Sequence, residues 1–286
     1  MATPTSLLTA ACLLLSAIPA AAYQTDGSVL LDEEPGEVEG PLDATYPEDA
    51  LVLDDMILEP GQVVLRDPGQ GPPRGKAGLH AMIQYGTQYW PGGKLPVVFD
   101  PAIEPSQREL FFEACREWEA VARVRCVPRL RESGYLQVVV GEGCWSHVGY
   151  RRGFLWWWEE RKLSLGEGCW TRGVILHELG HAFGFMHEQQ RGDRDDYIRV
   201  LWDNIEPERH PQYQVVEGYT LGTPYDFESI MHYWRDEFAK EPGLPAFEGR
   251  EGYEDQARWA GRRERLSESD AKAMSLVYGL PEARCP

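Results

Sequence analysis

Apolar residues recur at helical spacing in SQRELFFEACREWEAVAR, residues 106–123, where Phe111, Cys115, Trp118 and Ala122 fall on one face. That pattern predicts an amphipathic helix, with Ser106 as its N-cap. A second stretch, TRGVILHELGHAFGF at 171–185, is apolar on most sides and predicts a helix buried all round. Short runs of a different kind, LPVVFD, YLQVVVGEG and KLSLGEG, read as strands. After Phe185 the pattern dissolves into loop-rich sequence until SESDAKAMSLVYG, which predicts a last helix opened by a cap pairing Ser267 with Asp270. Strands and helices in this order describe an α+β domain.

The globular pattern begins near Ala81 and continues for roughly 200 residues, enough for one sizeable core. Ahead of it, residues 23–80 are rich in Pro, Gly, Asp and Glu and end in GQGPPRGKAG, a turn-rich stretch carrying Arg74 and Lys76. The one apolar island there is LVLDDMIL, 51–58, which could dock on a folded partner. Residues 1–22 combine a short apolar run from Leu7 to Ile18 with small residues ending at Ala22. This is the form of a cleaved secretory signal, since a membrane span needs about 20 apolar residues. The expected organisation is a signal (1–22), an acidic removable pro-segment (23–80) and a globular domain (81–286), exported and monomeric.

Charge and cysteines sharpen that picture. The formal charge is -18, and the stretch from Tyr23 to His80 alone holds 13 Asp and Glu against 3 Lys and Arg. No basic stripe offsets phosphate repulsion, which excludes nucleic acid as a partner. An oxidising compartment pairs cysteines. With Cys12 in the signal, Cys115, Cys126, Cys144, Cys169 and Cys285 remain, so two disulfides and one odd thiol are expected. Cys115, on the apolar face of the first helix, reads as a buried inert thiol. Four cysteines allow three pairings, and spacing does not choose among them.

The chemistry is concentrated in HELGHAFGFMHE, which begins at His177. On a helix His177 and His181 lie one turn apart on one face and can share an ion. Gly184 stands where the helix should stop, because glycine tolerates the backbone of a sharp turn. That turn can bring in His187 as a third nitrogen. Three neutral imidazoles leave zinc an open position, the mark of a catalytic site. Glu178 is placed to take a proton from water. Five specified letters at this spacing match by accident at on the order of one start position in a few million. His80 and His210 read as surface residues, and His147 as structural.

Beyond these motifs the chain resembles the astacin family of metzincin metalloproteases. Glu188 follows the third histidine as in the family, and SIMHY at 229–233 looks like its Met-turn, with Met231 beneath the metal and Tyr233 as the tyrosine that joins or leaves it. GCWSHVG (143–149), RCVP (125–128) and RGDRDDYI (191–198) are further landmarks in the same order. The resemblance implies a zincin-like domain of two subdomains, with a twisted mixed sheet and two long helices first and an irregular second part ending in a helix. It implies one zinc per chain, protein and peptide substrates, and disulfides Cys126–Cys285 and Cys144–Cys169. With no recognisable module after Cys285, the chain is similar to the minimal digestive or hatching type. The KLSLGEG strand is expected at the cleft edge, where an extended peptide adds as a strand.

Three departures accompany the likeness. Family pro-segments place an aspartate after a glycine on the metal, and here the aligned stretch is Leu53-Asp54-Asp55-Met56. Asp55 is the inhibitory candidate and Asp54 its competitor. Family spacing from Trp90 puts the mature terminus near Ala81, with its ammonium against Glu188, yet the basic cleavage sites are Arg74 and Lys76. GFLWWWEER, 153–161, looks inserted, and Trp156, Trp157 and Trp158 are either an exposed recognition patch or partly buried. Arg263, in AGRRERLS, resembles a family position linked to acidic side chains just beyond the cut.

Overall fold

The apolar runs sort, in this computed structural model, into a mixed sheet and the helices that pack against it. The structure describes residues 51–53, 55–58, 83–84, 87–150, 159–216, 218–219 and 221–281. The first elements are β1 (Leu51–Leu53), β2 (Met56–Leu58), β3 (Ile83–Gln84), β4 (Lys94–Phe99) and α1 (Pro105–Val121). Next come β5 (Arg125–Pro128), β6 (Gly134–Val139), β7 (Cys144–His147), β8 (Glu159–Leu165) and α2 (Arg172–Ala182). The second half holds β9 (Ile198–Val200), β10 (Gly218–Tyr219), β11 (Phe247–Gly249), α3 (Glu254–Ala257) and α4 (Glu268–Tyr278), joined by loops and short 3-10 helices.

The main sheet runs β1-β2-β7-β8-β6-β4-β5. Strands β5, β4, β6 and β8 are parallel neighbours, and β7 returns antiparallel to β8. Their inward residues, including Leu95, Val97, Leu136, Val138, Leu163 and Leu165, share one core with α1, α2 and α4. Trp118 of α1 is fully buried in it, and its indole N–H donates to Leu176 O of α2 at 3.1 Å. A second core, centred on Ile198, Tyr213, Tyr225 and Phe247, fills the part after α2. The expected α+β fold is therefore present, with two apolar cores. Among the described residues no helix is long and apolar enough to cross a membrane.

Local expectations differ in three places. α1 opens at Pro105 with Glu104 as its cap, whose N–H donates to Gln107 Oε1 at 2.9 Å, so Ser106 lies inside the first turn rather than capping it. The KLSLGEG strand is not an edge: β8 pairs with β6 on one side and β7 on the other. The strand beyond it is CWSH, and on CWSH rests the amino-terminal hairpin of β1 and β2. The linker with Arg74 and Lys76, Ala81, His80, Asp54 and the three tryptophans lie outside the described residues.

The cysteines give the third correction. Cys144 is bonded to Cys169, while Cys126 is bonded to Cys115 rather than to Cys285. Cys115 on α1 faces Cys126 on β5, with their Cα atoms 6.2 Å apart, inside the range a disulfide spans. The inert buried thiol expected at Cys115 is thus a bonded one. Cys285 lies outside the described residues. Non-reducing peptide mapping of the full chain is expected to release Cys115 linked to Cys126, and a Cys126–Cys285 fragment would contradict this pairing.

Candidate metal centre

Helix α2 carries the chemistry because its sequence leaves it no polar face. Every residue from Ile175 to Ala182 is buried, including His177, Glu178 and His181. Thr171 starts it, its hydroxyl accepting from Val174 N. Gly184, at φ 110°, turns the chain out of the helix, and Gly184 N and Gly149 N both donate to His181 O. Trp90 Nε1 donates to Ala182 O at 2.7 Å and Tyr278 OH to Phe183 O at 2.8 Å, so the exposed carbonyls of the last turn are satisfied by distant side chains.

The turn returns His187 to the helix face. The three Nε2 atoms of His177, His181 and His187 lie 3.1, 3.2 and 3.3 Å from one another. Nitrogens about 2.05 Å from a common centre, in tetrahedral directions, would be about 3.3 Å apart. His177 Nδ1 donates to Ile230 O at 2.6 Å and His181 Nδ1 to Phe185 O at 2.7 Å, which leaves the Nε2 lone pairs of both rings facing inward. Burial pushes His177 down to about 4, with the Arg263 charge assisting, and burial also lowers His181 far below its usual value. Neutral imidazoles are the state that binds a metal, so the donor set fits zinc.

Asp55 completes the group. Its ligand atoms and those of the three histidines all lie within 4.8 Å of one another, and all four residues are buried. Oδ2 is 3.0 Å from His177 Nε2, and Oδ1 is 3.0 Å from His187 Nε2. Tyr233 OH donates to Oδ1 at 3.4 Å, and Arg263 Nη2 lies 3.7 Å from Oδ2. Arg263 holds a left-handed backbone, φ 50°, and its guanidinium lies 5.9 Å over the Tyr233 ring. The hairpin explains the reach of Asp55: β1 and β2 pair from Leu51–Leu58 to Leu53–Met56, leaving Asp55 in the turn. β2 lies parallel on β7, and Ser146 N donates to Asp55 O while Val148 N donates to Ile57 O.

Met231 sits under α2 so closely that a Cβ added at Gly180 would come 2.4 Å from its sulfur. The turn carrying it is held by residues that motif reading leaves out. Asp270 caps α4 as expected, accepting from Ser267 N, and the same carboxylate accepts from Ile230 N and Ser229 Oγ. Gln189 Oε1 accepts from Tyr233 N. Glu188 Oε1 accepts from Arg191 Nη1 at 2.6 Å and Asp226 N at 2.9 Å, and Arg191 also grips Asp193 with two N–H groups. The cap pattern announces Asp270 as a helix start, but no local signal announces its second set of partners. His147 is structural, its Nδ1 accepting from Lys162 N, and His210 Nε2 faces Trp202 O and not the centre.

A mixed sheet, a buried helix carrying two of three converging imidazoles, and a methionine turn beneath them make a domain whose donor set fits zinc. The family profile of the astacin peptidases matches residues 82–279, and the chain belongs to the astacin family. Zinc metalloproteinase nas-15 of Caenorhabditis elegans is 34% identical over 203 residues, covering 70% of this chain and 34% of that protein. The Astacin-like metalloendopeptidase of Gallus gallus is 33% identical over 208 residues, covering 69% of this chain and 47% of that one. High choriolytic enzyme 1, a hatching enzyme zinc-protease from the medaka Oryzias latipes, aligns with a TM-score of 0.62 at 30% identity, over 70% of this chain and 100% of its own. This chain spans less than half the length of the two curated relatives named here.

Proposed function

We propose that this chain is a secreted endopeptidase that cleaves internal peptide bonds of protein substrates, made as a latent zymogen and binding one zinc ion through His177, His181 and His187. The observation that carries the reading is the spacing of the three Nε2 atoms. Zinc bound there would supply Lewis acidity, activating water near neutral pH and polarising the scissile carbonyl. Glu178, fully buried beside His177, takes the water proton and passes it to the leaving amine. Tyr233, released from Asp55, donates its O–H to the developing oxyanion. Met231 and Glu188 hold the floor of the site. Glu178→Ala is expected to keep its zinc on elemental analysis while peptide hydrolysis falls by about 10² or more; a variant of wild-type rate removes the base role.

Latency follows from the hairpin in this reading. Asp55 fills the space opposite the imidazoles while β2 occupies the sheet edge that a substrate strand needs. Cleavage near Arg74, Lys76 or Ala81 would free both. The resemblance to the family assigns the ammonium of a mature chain opening near Ala81 to Glu188, whose carboxylate accepts from Arg191 and Asp226 N. In the full chain Asp55→Ala is expected to raise activity before processing, read as a shortened lag in a continuous peptide assay. An unchanged lag moves the inhibitory role to Asp54 or elsewhere.

Arg263 is assigned to substrate. Its guanidinium already faces a carboxylate across the metal centre, that of Asp55, and a close fit at Gly173 against Arg263 O restrains the backbone that presents it. Once the hairpin leaves, an acidic side chain just beyond the scissile bond takes that position. Cleavage-site profiling with a peptide library is expected to show enrichment of Asp and Glu there, lost in Arg263→Ala; a flat profile in the wild type ends this assignment.

A further inference from the structure

β7, the outer strand of the sheet once the β1–β2 hairpin is set aside, does not end where its backbone ladder with β8 ends. β7 pairs with β8 as far as Ser146 and Leu163, and the next pair would join His147 to Lys162. There the side chain of His147 takes over, its Nδ1 accepting from Lys162 N at 2.9 Å. One step further, Arg161 of β8 reaches the peptide carbonyls themselves: Nη2 donates to Val148 O at 3.1 Å and Nε donates to Gly149 O at 3.2 Å. Arg161 is 2% exposed, and a guanidinium is withdrawn from water at substantial cost unless its N–H groups find fixed partners.

The Val148–Gly149 peptide that Arg161 holds by its carbonyl donates through Gly149 N to His181 O in the last turn of α2, and the Gly149–Tyr150 peptide donates through Tyr150 N to Gln88 O. Val148 N, which donates to Ile57 O of the strand lying in the cleft, belongs to the preceding peptide, whose carbonyl, His147 O, accepts from Ser146 Oγ. The fork of Arg161 therefore sets the orientation of two consecutive residues that join the substrate edge to the metal helix. Only a planar group with several fixed donors can span adjacent carbonyls in this way, and a lysine ammonium offers a single point of charge.

We propose that Arg161 is a positioning residue for extended substrates: holding the Val148 and Gly149 carbonyls, it fixes the backbone directly after Val148 and, through the Val148 Cα, the peptide whose N–H faces the strand in the cleft. The assignment rests on the peptidase reading above, in which that edge receives substrate. It concerns ground-state binding of a long chain, so the loss falls on KM and grows with substrate length.

The test compares processed wild type, Arg161→Lys and Arg161→Met on two fluorogenic peptides with the same scissile pair, one extended several residues on both sides and one trimmed to the residues flanking the cut. Both variants are expected to raise KM for the extended peptide about tenfold, the scale of one lost backbone contact, with kcat and zinc content unchanged. KM for the trimmed peptide should stay within about twofold. In the unprocessed chain the Val148 amide is expected to exchange with deuterium faster in both variants. Equal effects on both peptides, a fall in kcat or zinc, or unchanged exchange and KM would overturn the assignment. If Arg161→Met does not fold, Arg161→Lys alone decides. A wild type that cleaves neither peptide defeats the peptidase reading, whereas an active wild type without the length-dependent difference defeats only the role of Arg161.

Discussion

Three imidazole lone pairs meeting in one small volume are the constraint around which this structure is arranged. Their Nε2 atoms face one another across 3.1 to 3.3 Å, and those of His177 and His181 have no proton to share. The arrangement persists because two of the rings are fixed from outside and the chain returns the third to them. Ile230 O and Phe185 O take the outer protons of two rings, and Gly184 supplies the turn that returns the third. A cation is the physical answer to such convergence, and burial favours the neutral rings it needs.

The requirements of that centre spread outward through hydrogen bonds between distant segments. The carbonyl that orients His177 belongs to Ile230, whose own N–H is held by Asp270 at the start of α4. The carbonyls at the end of α2 are satisfied by Trp90, Gly149 and Tyr278, which come from three other parts of the chain. Helix, Met-turn and last helix are therefore one mechanical unit. The first apolar core and the metal centre share it, since Met231 and Ile230 belong to that core.

This also decides what could be read from the chain alone. His177, His181 and Gly184 announce themselves because helical period and a helix stop are local properties, and α2, α4 and the strands β4, β6 and β8 lie where the apolar pattern places them. The pairing of Cys126 is not local: it depends on how α1 packs against β5, which brings Cys115 opposite it. The edge is misassigned for a similar reason. KLSLGEG alternates as a strand while CWSH does not, and only the order of strands in the sheet makes β7 the outer one of the pair. Asp270 and Arg161 act through contacts with residues 40 or 12 positions away, where no spacing rule applies.

The proposed latency gains from this geometry in a way that a single blocking carboxylate would not. Asp55 is both the residue whose side chain enters the centre and the residue whose carbonyl accepts from Ser146 N on the edge strand. Ligand and strand contacts are thus made by one short hairpin, and neither can be lost without loosening the other. Two contacts tethered so closely raise each other's local concentration, so the hairpin holds more firmly than either contact would by itself. Cutting the chain elsewhere leaves the hairpin intact but removes its covalent tether, and the hold then becomes an ordinary bimolecular equilibrium that dilution favours releasing. On this reading, activation needs no rearrangement of the imidazoles at all, only departure of the strand that covers them.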